Sequence, residues 1–216
     1  EGPFRKAKKN YKVLTGHTYF SRFFRHPEGM LACHFTQARD VQVSFAPIKD
    51  VRIDDEGTLR FGWWKGNEKM KHRTIAVEKP VDSNAAVALL GNSFDTKQGL
   101  IIEGSLRLPK GKDSPRCGVY VECTNNFGAG LLIDSSGVAE LGLINADGTD
   151  FKMEKRVDRE MTFGSPASFR LLVRGSLMEF YLDDILIESF ALPANATGRI
   201  GLINAEDTMD TLKAWN

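Results

Sequence analysis

The 216-residue chain has no run of about 18 apolar residues, so it encodes no membrane-spanning helix. It has no excess of either charge: 29 Lys and Arg stand against 28 Asp and Glu. A dedicated nucleic-acid binder would show a clear basic surplus, and that class is set aside. Cysteine is scarce, with three in the chain, which excludes a disulfide-dense scaffold. An odd count leaves at least one thiol free. Cys117 and Cys123 sit at the two ends of one strand-like run. Extended at about 3.3 Å per residue, their Cα atoms lie about 20 Å apart. A disulfide spans less than about 7 Å, so the two read as buried, inert thiols. No Cys-x-x-Cys, His-Glu-x-x-His or Gly-x-Ser-x-Gly spacing occurs, and no Gly-rich phosphate loop opens a helix. No stretch carries a convincing helical stripe; residues 85–90 come nearest and are short. Hydrophobic residues at 42% and charged residues at 26% are nevertheless an ordinary globular balance, which excludes intrinsic disorder.

What the chain does have is strands. Thr18-Tyr-Phe-Ser-Arg-Phe-Phe is aromatic-rich, and Val41-Gln-Val-Ser-Phe alternates with period two. Val51-Arg-Ile and Thr58-Leu-Arg-Phe flank the turn Asp54-Asp-Glu-Gly. From residue 74 onward, short β-branched and aromatic runs recur with turn signals every 8–12 residues or so, the pattern of a sandwich or barrel. The clearest hairpin covers residues 177–190. Met178, Phe180 and Leu182 point one way there, and Leu177, Glu179 and Tyr181 the other. Asp183-Asp184 supplies its turn, because short Asx side chains tolerate the left-handed backbone. A single internal echo pairs Gly142-Leu-Ile-Asn-Ala with Gly201-Leu-Ile-Asn-Ala, as two equivalent strands would. The predicted fold class is all-β: an antiparallel β-sandwich over residues 74–216, preceded by a β-meander over residues 1–73.

Few residues suggest chemistry. His17, His26, His34 and His72 are scattered, although His26 and His34 flank a turn and could approach across a hairpin. Asp54-Asp-Glu and Asp147-Gly-Thr-Asp could bind calcium, but turn chemistry explains both, so no metal or cofactor is expected. Asp183, Asp184 and Glu188 fit a hairpin turn and a solvent face rather than a catalytic pair. Trp63 and Trp64 stand out, inside Phe61-Gly-Trp-Trp-Lys-Gly-Asn-Glu. Flat indoles stack on sugar rings, and Asn67 and Glu68 could bond sugar hydroxyls. Alternatively, one Trp packs in a core and the other covers a seam. The first 25 residues hold seven basic groups (Arg5, Lys6, Lys8, Lys9, Lys12, Arg22 and Arg25) against one acid, a solvated arm able to touch an anionic partner. Asn195-Ala-Thr is a glycosylation sequon that matters only in a eukaryotic secretory pathway. The first residue is Glu, which suggests a removed leader or the tail of a longer chain.

Two segments resemble a known family. Phe169-Arg-Leu-Leu-Val-Arg-Gly-Ser-Leu-Met-Glu-Phe-Tyr-Leu-Asp-Asp, with the closing Gly198-Arg-Ile-Gly-Leu-Ile, resembles concanavalin A-like and laminin-G-like jelly rolls. It looks most like the C-terminal sandwich of family 32 glycoside hydrolases. Gly2-Pro-Phe-Arg, Tyr19-Phe-Ser-Arg-Phe-Phe, Phe45-Ala-Pro-Ile-Lys and Trp63-Trp-Lys-Gly-Asn-Glu look like the end of the five-bladed β-propeller that precedes such a sandwich. The family's nucleophile motif has no counterpart here. The resemblance therefore implies an ancillary, carbohydrate-associated part, secreted or periplasmic, with carbohydrate and an upstream propeller as partners and neither nucleic acid nor membrane. Glu122, in Val121-Glu-Cys, is similar to the Glu-Cys pair around that family's acid/base and keeps open a hydrolase in its own right. A laminin-G-like protein-interaction module is the third reading.

Overall fold

A computed structural model describes residues 12–14, 18–37, 43–80, 82, 85–111, 113–135, 138–158 and 163–216. The first eleven residues and His17 lie outside these, and with them most of the basic arm and Gly2-Pro-Phe-Arg; so do Val41 and Gln42.

Alternating apolar residues and Asx or Gly turns drive the chain into antiparallel strands throughout. The first five are β1 (Thr18–His26), β2 (Gly29–Thr36), β3 (Ser44–Phe45), β4 (Lys49–Ile53) and β5 (Leu59–Trp63). A 3₁₀ turn follows over Lys65–Met70. Next come β6 (Thr74–Ile75), β7 (Ala88–Leu89), β8 (Leu100–Leu106), β9 (Cys117–Thr124), β10 (Phe127–Ile133), β11 (Val138–Asn145) and β12 (Lys152–Asp158). The last are β13 (Ala167–Arg174), β14 (Leu177–Leu182), β15 (Ile185–Ala191), β16 (Ile200–Ile203) and β17 (Lys213–Trp215). One sheet runs β12-β11-β10-β9-β16-β7; the other runs β1-β2-β4-β5-β15-β14-β13-β8-β17-β6, with β3 also on β2. Residues 85–90, the nearest thing to a helix in the sequence, form a bend and the short β7 instead.

The β14–β15 hairpin organises the molecule. Its turn is the expected one: Asp183 and Asp184 take φ of 44° and 61°. Its faces also divide as expected. Met178, Phe180 and Leu182 enter the core between the two sheets, with Leu100, Leu131, Leu171 and Ile200. Leu177 and Tyr181 turn outward and pack with Ala32, Phe61, Trp63, Ile101, Leu172 and Leu186. Every residue of β14 is therefore buried. A strand covered on both faces needs a third layer, and the β1–β5 meander supplies it. Register places Ala32 beside Lys49 and Lys49 beside Trp63, so these side chains share the meander face turned toward the sandwich. At the hairpin tip Gly62 pairs with Ile185, and the Trp63 N–H donates to the Asp184 carbonyl at 2.8 Å.

The two echo segments are β11 and β16 of one sheet, flanking the β10–β9 pair. Ile144 and Ile203 lie over Gly130, where a Cβ would sit 2.9 Å and 3.6 Å from them. The glycine thus keeps room for two equivalent isoleucines. Cys117 and Cys123 are free and buried, and burial pushes both thiols up to about 11.

Candidate functional site

β5 ends at Trp63, and the 3₁₀ turn places Glu68 back beneath it. The Trp63 indole N–H donates to Glu68 Oε1 at 2.6 Å. One ring face lies under the Arg170 guanidinium, 4.2 Å away, and Tyr181 meets the ring edge-on at 5.3 Å. Trp63 is consequently 4% exposed and belongs to the seam between meander and sandwich. Trp64, the next residue, turns the other way and stays half-buried. Its ring lies on Gly66, where a Cβ would sit 2.2 Å from it, so only glycine permits this close approach. His26 touches the Trp64 ring edge at 5.5 Å. Asn67 is buried, and its amide donates to the Ile48 carbonyl at 2.7 Å.

Around these rings, charges alternate. Arg170 pairs with Glu103 at 2.6 Å and Asp184 at 2.7 Å, and reaches Glu68 at 3.5 Å. Lys71 bridges Glu68 and Glu103 at 2.6 and 2.8 Å. Burial pushes the Glu68 carboxyl up, but hydrogen bonds from Lys71 and Trp63 outweigh it and hold it below the ordinary value. Glu28 pairs with Lys65, and Arg52 with Asp50. Glu28, Asp50, Arg52, Lys65, Glu68, Arg170 and Asp184 line an open cleft of roughly 380 Å³, walled by Trp63, Trp64 and Leu31. Such a cleft presents aromatic surface, acceptors and donors at once, the chemistry that polyhydroxylated ligands require.

A second constellation gave no motif in the sequence. Lys49 and Glu179, both 0% exposed, meet across the seam with Nζ 2.9 Å from each carboxylate oxygen. Tyr181 and Ser189 hydroxyls donate to the same carboxylate at 2.7 and 2.9 Å, and His34 Nε2 lies 3.4 Å away. Burial pushes the Glu179 carboxyl up, but Lys49 and His34 more than reverse this, bringing it to about 2. Burial lowers Lys49, with Glu179 opposing. The sequence signal was faint: strand alternation put Glu179 on one face with Leu177 and Tyr181.

The remaining candidates resolve differently. His26 pairs with Gly29 and His34 with Ser21, so the two histidines do not approach each other across the hairpin. Asp54 accepts from the Glu56 and Thr58 amides and from Arg60, which is turn chemistry. Asp147 accepts from Thr149 in the same manner. Among the described residues no group of three or more His, Cys, Asp or Glu could hold a metal. Glu188 does not lie on a solvent face: at 3% exposure it is inside the sheet, because β15 is covered on both sides. Glu122 is buried and accepts from the Thr197 hydroxyl at 2.9 Å and the Asn126 amide at 3.3 Å, with Arg199 at 3.5 Å. Those partners tie down a loop and include no second carboxylate.

No protein-family model matches the sequence, and a search of curated proteins finds no relative. Solved structures share the fold. The Aspergillus kawachii β-fructofuranosidase, complexed with glycerol, is similar at TM-score 0.60 and 10% identity, over 93% of this chain and 45% of its own. The Bombyx mori GH32 β-fructofuranosidase gives TM-score 0.59 at 8% identity, over 93% of this chain and 40% of its own. The Cichorium intybus fructan 1-exohydrolase IIa gives TM-score 0.54 at 11% identity, over 95% and 49%. The chain spans less than half the length of each of these proteins. It has the fold of a GH32-like C-terminal β-sandwich.

Proposed function

We propose that this chain is an ancillary, carbohydrate-associated sandwich that binds glycan in the Trp64 cleft. The observation that carries this reading is the Trp64 ring, half-exposed and seated on Gly66, at the mouth of a cleft rich in paired charges. A rigid indole loses little entropy on binding, and the ion pairs offer hydroxyl groups both donors and acceptors. Trp64 is the stacking platform and Glu68 a polar partner; Trp63 forms the wall, and Asn67 holds the turn. The test is calorimetry against fructan, xylan, galactan and glucan oligosaccharides. Trp64→Ala should weaken the preferred sugar about tenfold or more, in line with loss of one aromatic hot spot. Unchanged affinity in that variant, or no binding by any of these sugars, defeats the assignment.

The same chain also fits a brace for a catalytic propeller supplied by residues or a chain beyond this one. All the large hydrophobics left exposed among the described residues, except Met153, lie between residues 20 and 53 of the meander. Phe24 pairs with Leu31 and Phe45 with Phe35, so these rings lie on the face turned away from the sandwich. Phe23 pairs with Ala32 and so belongs to the opposite face; Phe24 and Phe45 are the exposed rings that would make a contact surface here. A separately produced five-bladed propeller of the GH32 type should bind the chain, and Phe24→Asp should abolish that binding. If the variant binds as well as the parent, this face is not the contact.

A further inference from the structure

A second open cleft, of roughly 320 Å³, borders the Trp64 cleft, and the two share Arg170 and Asp184 as a common wall. Glu103, Gly104, Ser168 and Lys213 line its far side. Lys213 pairs in register with Glu103, Glu103 with Arg170, and Arg170 with Tyr181. Register partners point to the same face, so these four side chains form a row across the strands. One end of the row meets Trp63, which packs edge-on against Tyr181, beside Trp64. Trp64 follows β5, and Lys213 opens β17. The sheet order between them is β5-β15-β14-β13-β8-β17. Steps of about 4.8 Å from strand to strand place the two residues about 24 Å apart.

The groups along this row suit repeated hydroxyls. Arg170 and Lys71 hold Glu68 and Glu103 in place, and Arg170 also holds Asp184. The carboxylates keep accepting capacity: Arg170 donates to Asp184 through Oδ1, which leaves Oδ2 for a hydroxyl donor. Glu68 and Asp184 are exposed, and Lys213 adds an exposed ammonium donor at the far end. With acids and bases interleaved, the row selects neither an anion nor a cation. A single sugar ring reaches one cleft only; a chain about as long as the 24 Å row reaches both. We propose that the two clefts form one groove for an internal stretch of a linear oligosaccharide. One ring stacks on Trp64, the chain crosses the Arg170–Asp184 pair, and its far residues bond Glu103 and Lys213. This inference rests on the Trp64 cleft being a glycan site and adds the class of glycan: a chain, not a mono- or disaccharide.

The experiment is calorimetry with inulin-type fructo-oligosaccharides and with xylo-, galacto- and cello-oligosaccharides, each series running from the disaccharide to the hexasaccharide. For the sugar that binds, affinity should rise about tenfold or more along the series as the second cleft is reached. Lys213→Ala, a change at an exposed position, should leave the disaccharide unaffected and weaken the hexasaccharide about fivefold, the worth of one net hydrogen bond. Trp64→Ala should weaken every length. A longer chain also gains affinity by offering more binding frames, but that gain survives Lys213→Ala. An unaltered length dependence in Lys213→Ala therefore overturns the groove, and so does a flat series in the parent. If Trp64→Ala still weakens binding in either case, the Trp64 reading stands without the groove. No binding at any length, or an unaltered Trp64→Ala, defeats that reading and the groove with it.

Discussion

Lys49→Met is expected to remove roughly 3–5 kcal/mol of folding stability, the range for breaking a buried ion pair by deleting one partner. Methionine keeps most of the length and apolar stem of lysine, so little packing is lost with the charge. What remains is a Glu179 carboxylate at 0% exposure, no longer faced by the ammonium that lay 2.9 Å from both its oxygens. The Tyr181 and Ser189 hydroxyls still donate to it and His34 Nε2 stays 3.4 Å away, but these contacts do not replace the ammonium beside a desolvated charge. Urea unfolding measures this directly. The double variant Lys49→Met/Glu179→Leu should recover most of the loss, since a buried pair replaced by apolar groups of similar volume is often near neutral. A single variant within about 1 kcal/mol of the parent, the range of exposed pairs, would mean that the pair is solvated.

Acid should loosen the same contact. The Glu179 carboxyl sits at about 2 in the folded chain against 4.5 as its ordinary value. A depressed folded value contributes its full stabilisation above about 4.5. That contribution fades as pH falls from 4.5 toward 2, where protonation of the carboxylate is complete in the unfolded chain and under way in the folded one. The difference corresponds to roughly 3 kcal/mol. The parent should therefore lose stability steeply between pH 4.5 and 2, and Glu179→Gln should show a flatter profile. Identical acid slopes in parent and variant would assign the acid sensitivity to other carboxylates.

Much of the fold could be read from residue order. The β14–β15 hairpin is legible because period-two alternation and the Asp183-Asp184 turn are local properties, and both are found where expected. The Cys117–Cys123 run is legible for the same reason: strand rise alone forbids their pairing. Positions decided by distant chain were not legible. Glu188 looks like a solvent-side residue until a second layer covers β15. Lys49, in Pro47-Ile-Lys, looks like an ordinary surface cation; its partner lies 130 residues away. The two tryptophans were legible as a pair but not individually, since neighbours in a strand end face opposite environments. Only tertiary contact decides that Trp63 meets Tyr181 and Arg170 while Trp64 meets Gly66 and His26.

The chain has three tryptophans, and all of them border the layer between meander and sandwich: Trp63 within it, Trp64 at its open side, and Trp215 packed against it under Lys71. The core between the two sheets contains none. Ultraviolet emission excited at the indole band therefore originates wholly from one layer of the molecule, while backbone circular dichroism averages over every strand. Separation of the meander from an intact sandwich would shift the emission maximum and leave the dichroism signal largely in place. The protein carries its own optical gauge for that motion, without an added dye.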